Sequence, residues 1–469
     1  MKSTWFKFIK PGLVSLMALA LIVVTTTGCN DDDDDAPQPT QSIVALAQSQ
    51  SNLSSLVAAL TKFPDLVTTL SGSGNFTVFA PTNDAFAALL TTVGQTSLDD
   101  VTESVLRDVL EYHVIASQAI LSTQLTAGNV TTVNGEAIAV TTAGGIRLNG
   151  NTQVVTADVR ATNGVVHIID QVLVPPSIVP IVNTVVEYPY FNKNFTTLIA
   201  AVLAADDDIL ALLLNSSKKT LFAPTNEAFA AAGITSLPAA AVLNAVLPYH
   251  VIGSEVRAAG LPTNTAPANS EVTTLGGKIY VSNRGSQGVF INGSTQVTQT
   301  DILADNGVVH VINRTLLPPS QTIAAIVQAR AGAAQPQFTK LLQALSRTEA
   351  ASLLATANNA SANLTVFAPT DAAFEASGIN LATVDGNTLV AVLQKHIISA
   401  PTTPTGRVFS RDLVTGNVAT LNGNVAINAT ALTVTSGGVT ANIVTNPAGL
   451  INILGTNGVI HTIDKVLLP

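Results

Sequence analysis

The sequence predicts an α+β protein built from three copies of one unit of about 140 residues. Three observations predict it. The segment Thr77-Val-Phe-Ala-Pro-Thr-Asn-Asp-Ala-Phe86 returns at Thr220–Phe229 and at Thr365–Phe374. The segment Asn163-Gly-Val-Val-His-Ile-Ile-Asp170 returns at Asn306–Asn313 and at Asn457–Asp464. Between these blocks lie Tyr112-His113, Tyr249-His250 and Lys395-His396, so all six histidines occupy matching places, two per copy. Self-similarity at a fixed period is the mark of repeat architecture. A length of 469 residues suits about three domains of ordinary size.

Each element of a copy follows from local chemistry. Upstream runs such as Phe195-Thr-Thr-Leu-Ile-Ala-Ala-Val-Leu203 carry apolar residues at helical spacing. Thr-Val-Phe is β-branched and aromatic, which predicts a strand. The Ala before Pro is pushed out of helical geometry and ends that strand. Thr82, Thr225 and Thr370 then stand where a helix N-cap belongs, with Asp84, Glu227 and Asp371 in the first turn. Downstream stretches rich in Thr and Val, with Asn-Gly and Gly-Gly turns, predict hairpins. The closing Val-Val-His-Ile-Ile run is apolar on both faces and predicts a buried central strand. Helices first and antiparallel strands after define an α+β unit.

Composition excludes several classes. Apolar residues make up 47% and charged residues 11%, the opposite of a disordered chain. A formal charge of −9 offers no basic face for nucleic acid. Cys29 is the sole cysteine, so intrachain disulfides and cysteine-rich metal sites are excluded.

The N-terminus reads as an export signal. Lys2, Lys7 and Lys10 precede an apolar stretch from Gly12 to Val24, too short to span a bilayer. Thr26-Thr27-Gly28-Cys29 follows, and this arrangement resembles a bacterial lipoprotein signal. The resemblance implies cleavage before Cys29 and lipidation of Cys29; the alternative is an ordinary secretory signal with an incidental Cys. Several acyl chains would anchor the protein stably where one binds only marginally. Asp31–Asp35 then form a solvated, extended spacer, which also resembles the surface-export tethers of Bacteroidota-type lipoproteins. Localisation in the bacterial envelope, lipid-anchored at the outer membrane and surface-exposed, is the corresponding expectation.

The repeated blocks carry a second resemblance. Phe-Ala-Pro-Thr-Asn-x-Ala-Phe, the Tyr-His pair and Asn-Gly-Val-Val-His, in that order three times, are similar to the fasciclin domain. This implies three tandem wedge-like β-sandwiches flanked by N-terminal helices. The division is 1–28 leader, 29–39 lipidated Cys and tether, and domains at 40–176, 177–319 and 320–469. The third copy departs at Lys395, in place of Tyr, and in the stretch from Ala441 to Gly455. Val174-Pro-Pro-Ser177 and Leu317-Pro-Pro-Ser320 read as short stiff connectors, which suggests an elongated array.

Candidate chemistry is sparse. His113, His167, His250, His310, His396 and His461 are expected to be core histidines bonded to backbone or hydroxyl; the resemblance agrees for the Tyr-His pair. A metal site needs three or four ligands, and no further ligand type recurs beside them, so no metal and no cofactor is expected. No Ser recurs in a nucleophile elbow and no carboxylate pair recurs, so no catalytic residue is assigned. Asp301-Ile302 is similar to the Asp-Ile adhesion motif of animal fasciclin domains, with Asp158-Val159 at the matching place of the first copy and Asn452-Ile453 in the third. The same residues fit a turn-capping Asp beside a core Ile. The resemblance implies a non-enzymatic, multivalent adhesion or matrix-binding lipoprotein. Its partners would be the membrane through Cys29, and cell-surface or matrix proteins or polysaccharide, with homophilic contact plausible for the family. The alternative is an envelope lipoprotein that binds a small molecule, lipid or polysaccharide.

Overall fold

A computed structural model describes residues 38–261, 268–398, 405–445 and 450–469. Cys29, the leader before it and Asp31–Asp35 lie outside the described residues. The first repeat opens with helices Ile43–Ser49, Ser54–Thr61 and Pro64–Ser71, and adds Asn83–Thr92 and Glu103–Tyr112 after its first strand. Its strands are β1 (Phe76–Pro81), β2 (Val114–Ile115), β3 (Gly128–Thr131), β4 (Ala137–Thr141), β5 (Arg147–Leu148), β6 (Thr152–Ala161) and β7 (Gly164–Ile169). Their order in the sheet is β2-β1-β7-β6-β5-β4-β3.

The two motif blocks are therefore neighbours. β1 and β7 pair in parallel, Phe79 opposite His167, where the sequence reading had only antiparallel strands. The physical reason is that the whole hairpin region intervenes as the crossover. Buried on both faces, such strands read as continuous apolar runs. The long β6 shifts register twice between Val154 and Val159, and such bulges bend a sheet. One face, with Val78, Ala80, Val166 and Ile168, packs on helical residues such as Leu46, Phe86 and Leu106. The other, with Phe79 and Ile169, packs on Ile138, Val140 and Leu148 of the far hairpins. The sheet thus folds over on itself as a wedge-like sandwich with helices on one side.

The second repeat has the same strand order. The third has eight strands: Val439–Asn442 and Ile453–Gly455 stand where the other repeats have one long strand. The predicted caps form. Thr82, Thr225 and Thr370 accept from the amides of Ala85 at 3.2 Å, Ala228 at 3.2 Å and Ala373 at 3.1 Å.

The Asn-Gly pair that opens the closing strand is a staple. Asn163 Oδ1 accepts from Ile43 N at 2.9 Å while its Nδ2 donates to Leu70 O and Gly72 O, both at 2.8 Å. Asn306 and Asn457 repeat this with Val185, Leu213 and Asn215, and with Ile323, Ala357 and Asn359. Gly164 must be Gly, because a Cβ there would meet Phe76 O at 2.1 Å.

The connectors are packed contacts rather than bare Pro-Pro joints. Ser177 donates through N and Oγ to Glu136, at 2.8 and 2.7 Å. Phe191, assigned by sequence to the second domain, lies in the core of the first, 2% exposed. Packing crosses the boundary because Val101 bridges Asn192 and Thr102 N donates to Phe191 O at 2.9 Å.

Candidate functional site

Each repeat holds one loop in a clamp made of its motif residues. In the first repeat the loop runs from Gln118 to Ser122. Thr77 Oγ1, on β1, donates to Gln118 O at 2.7 Å and accepts from Ile120 N at 2.8 Å. His167, on β7, bonds Ile120 O through Nε2 at 2.9 Å. Asp158, in the β6 bulge, accepts from Ser122 N at 2.7 Å and Ser122 Oγ at 2.5 Å. The second repeat uses Thr220, His310 and Asp301 in the same way on Ser254, Val256 and Ala258. The third uses Thr365, His461 and Asn452 on Gly406, Val408 and Ser410.

The bulge residues take the left-handed backbone, with φ of 62° at Asp158, 60° at Asp301 and 55° at Asn452. Asp and Asn tolerate that region better than other residues, which accounts for their recurrence there. The turned backbone points the amides of Asp158 and Asp301 at the Nδ1 atoms of His167 and His310, each at 3.3 Å. Burial raises the Asp158 pKa, but the two Ser122 bonds together with nearby His167 and Arg160 outweigh it and hold the carboxylate below its usual range. Val159 and Ile302 are half-buried and pack at the edges of the helical cores. Asp301 itself is exposed. The structure thus places the turn-capping and the exposed features of the Asp-Ile segment at one corner.

All six rings bond to backbone carbonyls. His113, His250 and His396 bond the carbonyls of Val109, Val246 and Val392 through Nδ1 and accept from the amides of Leu173, Leu316 and Leu467 at Nε2. These partners fix the Nδ1–H tautomer. Burial pulls the pKa of each down to about 4. His167 stacks on Phe79, and His310 and His461 lie tilted against Phe222 and Phe367, with ring centroids 5.6, 5.6 and 5.8 Å apart. Ser122, Asp158 and His167 adjoin, but His167 meets a backbone amide of Asp158 and a carbonyl, so no hydrogen bond links base and hydroxyl as acyl transfer requires. Among the described residues no three His, Cys, Asp or Glu side chains gather as a metal site would need.

Lys395 does the work of the missing tyrosine. Tyr112 and Tyr249 donate to the carbonyls of Ala137 at 2.9 Å and Lys278 at 2.7 Å. Lys395 Nζ donates to the carbonyls of Asn422 at 2.7 Å and Asn424 at 3.2 Å. In each case the helix end is tied to a hairpin.

The third loop shows what such a corner can grip. It lies against the second repeat. Phe409 is fully buried beside Tyr280, and the Arg407 guanidinium lies 4.6 Å above the Tyr280 ring. Asp412, also fully buried, accepts from Ser282 Oγ at 2.6 Å, Asn269 Nδ2 at 2.7 Å and Arg284 Nη2 at 2.5 Å. Burial raises the Asp412 pKa against these bonds. Arg284, Tyr280 and Asp412 gave no signal in the sequence, because they do not recur in the other copies. The matching loops of the first two repeats carry solvent-exposed residues, Gln118 and Ala119 in one, Ser254 and Arg257 in the other.

These features define a protein of tandem sandwiches that each present one clamped loop. The fasciclin-domain profile matches residues 51–175, 193–318 and 336–469, and the chain belongs to the fasciclin-domain family. A Synechocystis protein, sll1483, is 43% identical over 142 residues, 30% of this chain and 77% of that protein. Transforming growth factor-beta-induced protein ig-h3 of Sus scrofa is 27% identical over 440 residues, 92% of this chain. The chain spans 57% of the length of ig-h3. A solved FAS1 domain pair from the insect cell adhesion molecule fasciclin I matches 59% of this chain and 97% of its own, at 19% identity and a TM-score of 0.28.

Proposed function

We propose that the protein is a surface-anchored adhesin that binds cell-surface or matrix material through several clamped loops and carries no catalytic role. One observation supports this most. The corner that the third repeat uses to grip a protein surface is presented to solvent in the first two, where Asp158 and Asp301 sit. Two weak sites on one chain gain avidity through effective concentration. The anchor in this reading is lipid at Cys29, which the Asp31–Asp35 tether separates from the domains. Among the described residues no single helix is long and apolar enough to cross a membrane; a bent pair spanning Ile43–Ser49 and Ser51–Thr61 passes by composition and packs in the first core.

The test is binding of the chain lacking residues 1–35 to intact cells of the producing organism, their exopolysaccharide, collagen and fibronectin. Asp158→Ala/Val159→Ala and Asp301→Ala/Ile302→Ala should each weaken binding, and together abolish it. Asp301→Asn, which keeps an acceptor for Ala258 N, separates loss of charge from loss of the clamp. Absence of binding to every surface would sink the adhesive reading. Cys29→Ser should move the full chain from the membrane to the soluble fraction.

A further inference from the structure

A cleft lies where the Pro318-Pro319 connector crosses from the second repeat to the third. Its volume is about 560 Å3, within the range that holds small ligands. Two cations line it, Arg314 and Arg330, and no carboxylate does among the described residues. The remaining wall is mixed, with Ser294 and Gln321 beside Leu316 and Ile326. Thr315 closes one side; it is 7% exposed and its Oγ1 has no hydrogen-bond partner. Burial lowers the Arg330 pKa, and Arg330 Nη1 donates to Gln337 Oε1 at 3.4 Å. In a chain of charge −9, this is a locally positive place.

The cations are particular to this junction. The first repeat has Gln171 where the second has Arg314. Arg330 stands in the last turn of helix Ile323–Ala331. It lies seven residues after Ile323, where the first two repeats have Gln50 seven after Ile43 and Asn192 seven after Val185. The cleft is also held in place, since the clamp on Asp412 fixes one repeat against the other.

We infer that this cleft binds an acidic saccharide. Guanidinium groups pair with carboxylates in a planar fork. Uncharged hydroxyl and amide groups complement sugar hydroxyls, and the apolar residues face ring carbons. A fatty acid would need a longer apolar wall, and a bare phosphate would leave the amides unused. The inference does not rest on the adhesive role, because the loops at Gln118–Ser122 and Ser254–Ala258 take no part in it.

The experiment is calorimetric titration of the full chain in detergent with trigalacturonate, with its methyl-esterified form and with inorganic phosphate. Trigalacturonate is expected to bind, to weaken as salt rises, and to lose at least about ten-fold on esterification. Arg314→Gln and Arg330→Gln are each expected to lose about ten-fold without lowering the melting temperature, and Arg330→Lys to fall between. If Arg330→Gln fails to fold, Arg314→Gln decides. Equal affinity for acid and ester, phosphate binding as tightly as the trisaccharide, binding indifferent to the arginines, or no binding would each overturn the inference. Binding of cells by the two loops would be unchanged in every case.

Discussion

His113, His250, His396 and His461 carry the same burden in different repeats. Each is buried and neutral, with its pKa pulled from 6.5 to about 4. The unfolded chain takes up protons below about pH 6.5, while the folded chain takes them up only near pH 4. The contribution of these rings to stability is therefore complete above pH 6.5 and is lost as pH falls towards 4. Such a shift corresponds to roughly 3 kcal/mol per ring at order of magnitude. Thermal melting followed by circular dichroism should show a steep fall between pH 6.5 and 4.5; a flat profile would contradict this account. Glu187 has the opposite sign. It is 7% exposed, its Oε1 has no partner, and burial pushes its pKa up to about 7. Its contribution is present below about pH 4.5 and lost as pH rises through 7. Glu187→Gln keeps an acceptor for Asn183 N and should raise the melting temperature at pH 8 but not at pH 5.

At the scale of elements, the repeated motifs are joints. The Asn staple ties the first helix, the end of the third helix and the closing strand across about 90 to 120 residues of chain. Asn163→Ala would strand one buried amide and weaken two carbonyl contacts, a loss of about 3 kcal/mol or more. Urea unfolding would measure it, and a loss below about 1 kcal/mol would mean that water replaces the amide. Thr82→Ala removes only a cap and should lose about 1 kcal/mol.

Across the whole molecule, the two junctions are built differently. Phe191 inserts into the first core, an apolar anchor. Asp412 and Arg284 form a buried ion pair, with side chains 0% and 7% exposed. Removing one member of such a pair costs about 3–5 kcal/mol, because the other charge is left buried. Asp412→Ala should therefore uncouple the third repeat from the second. Phe191→Ala should uncouple the second from the first, with a comparable loss for a large core side chain. Calorimetry should show the parent's transition split in each variant, and an unaltered profile in both would mean that neither residue couples the repeats.

Sequence alone determined the repeats, the caps and the burial of the closing strand, because each is a local pattern that recurs three times. Thr82 reads as a cap from its neighbours, and the histidines read as buried from their apolar surroundings. The parallel pairing of β1 with β7 was not legible, since register between segments some 90 residues apart leaves no local trace. Nor were the roles of Phe191, Asp412 or Arg330. These residues occur once, their chemistry is ordinary, and only packing between repeats makes them an anchor, a buried ion and a cation in a cleft. Tertiary structure also decided the place of Asp301. Its carboxylate clamps a loop and stands at an exposed corner together, because a left-handed bulge brings both about at one residue.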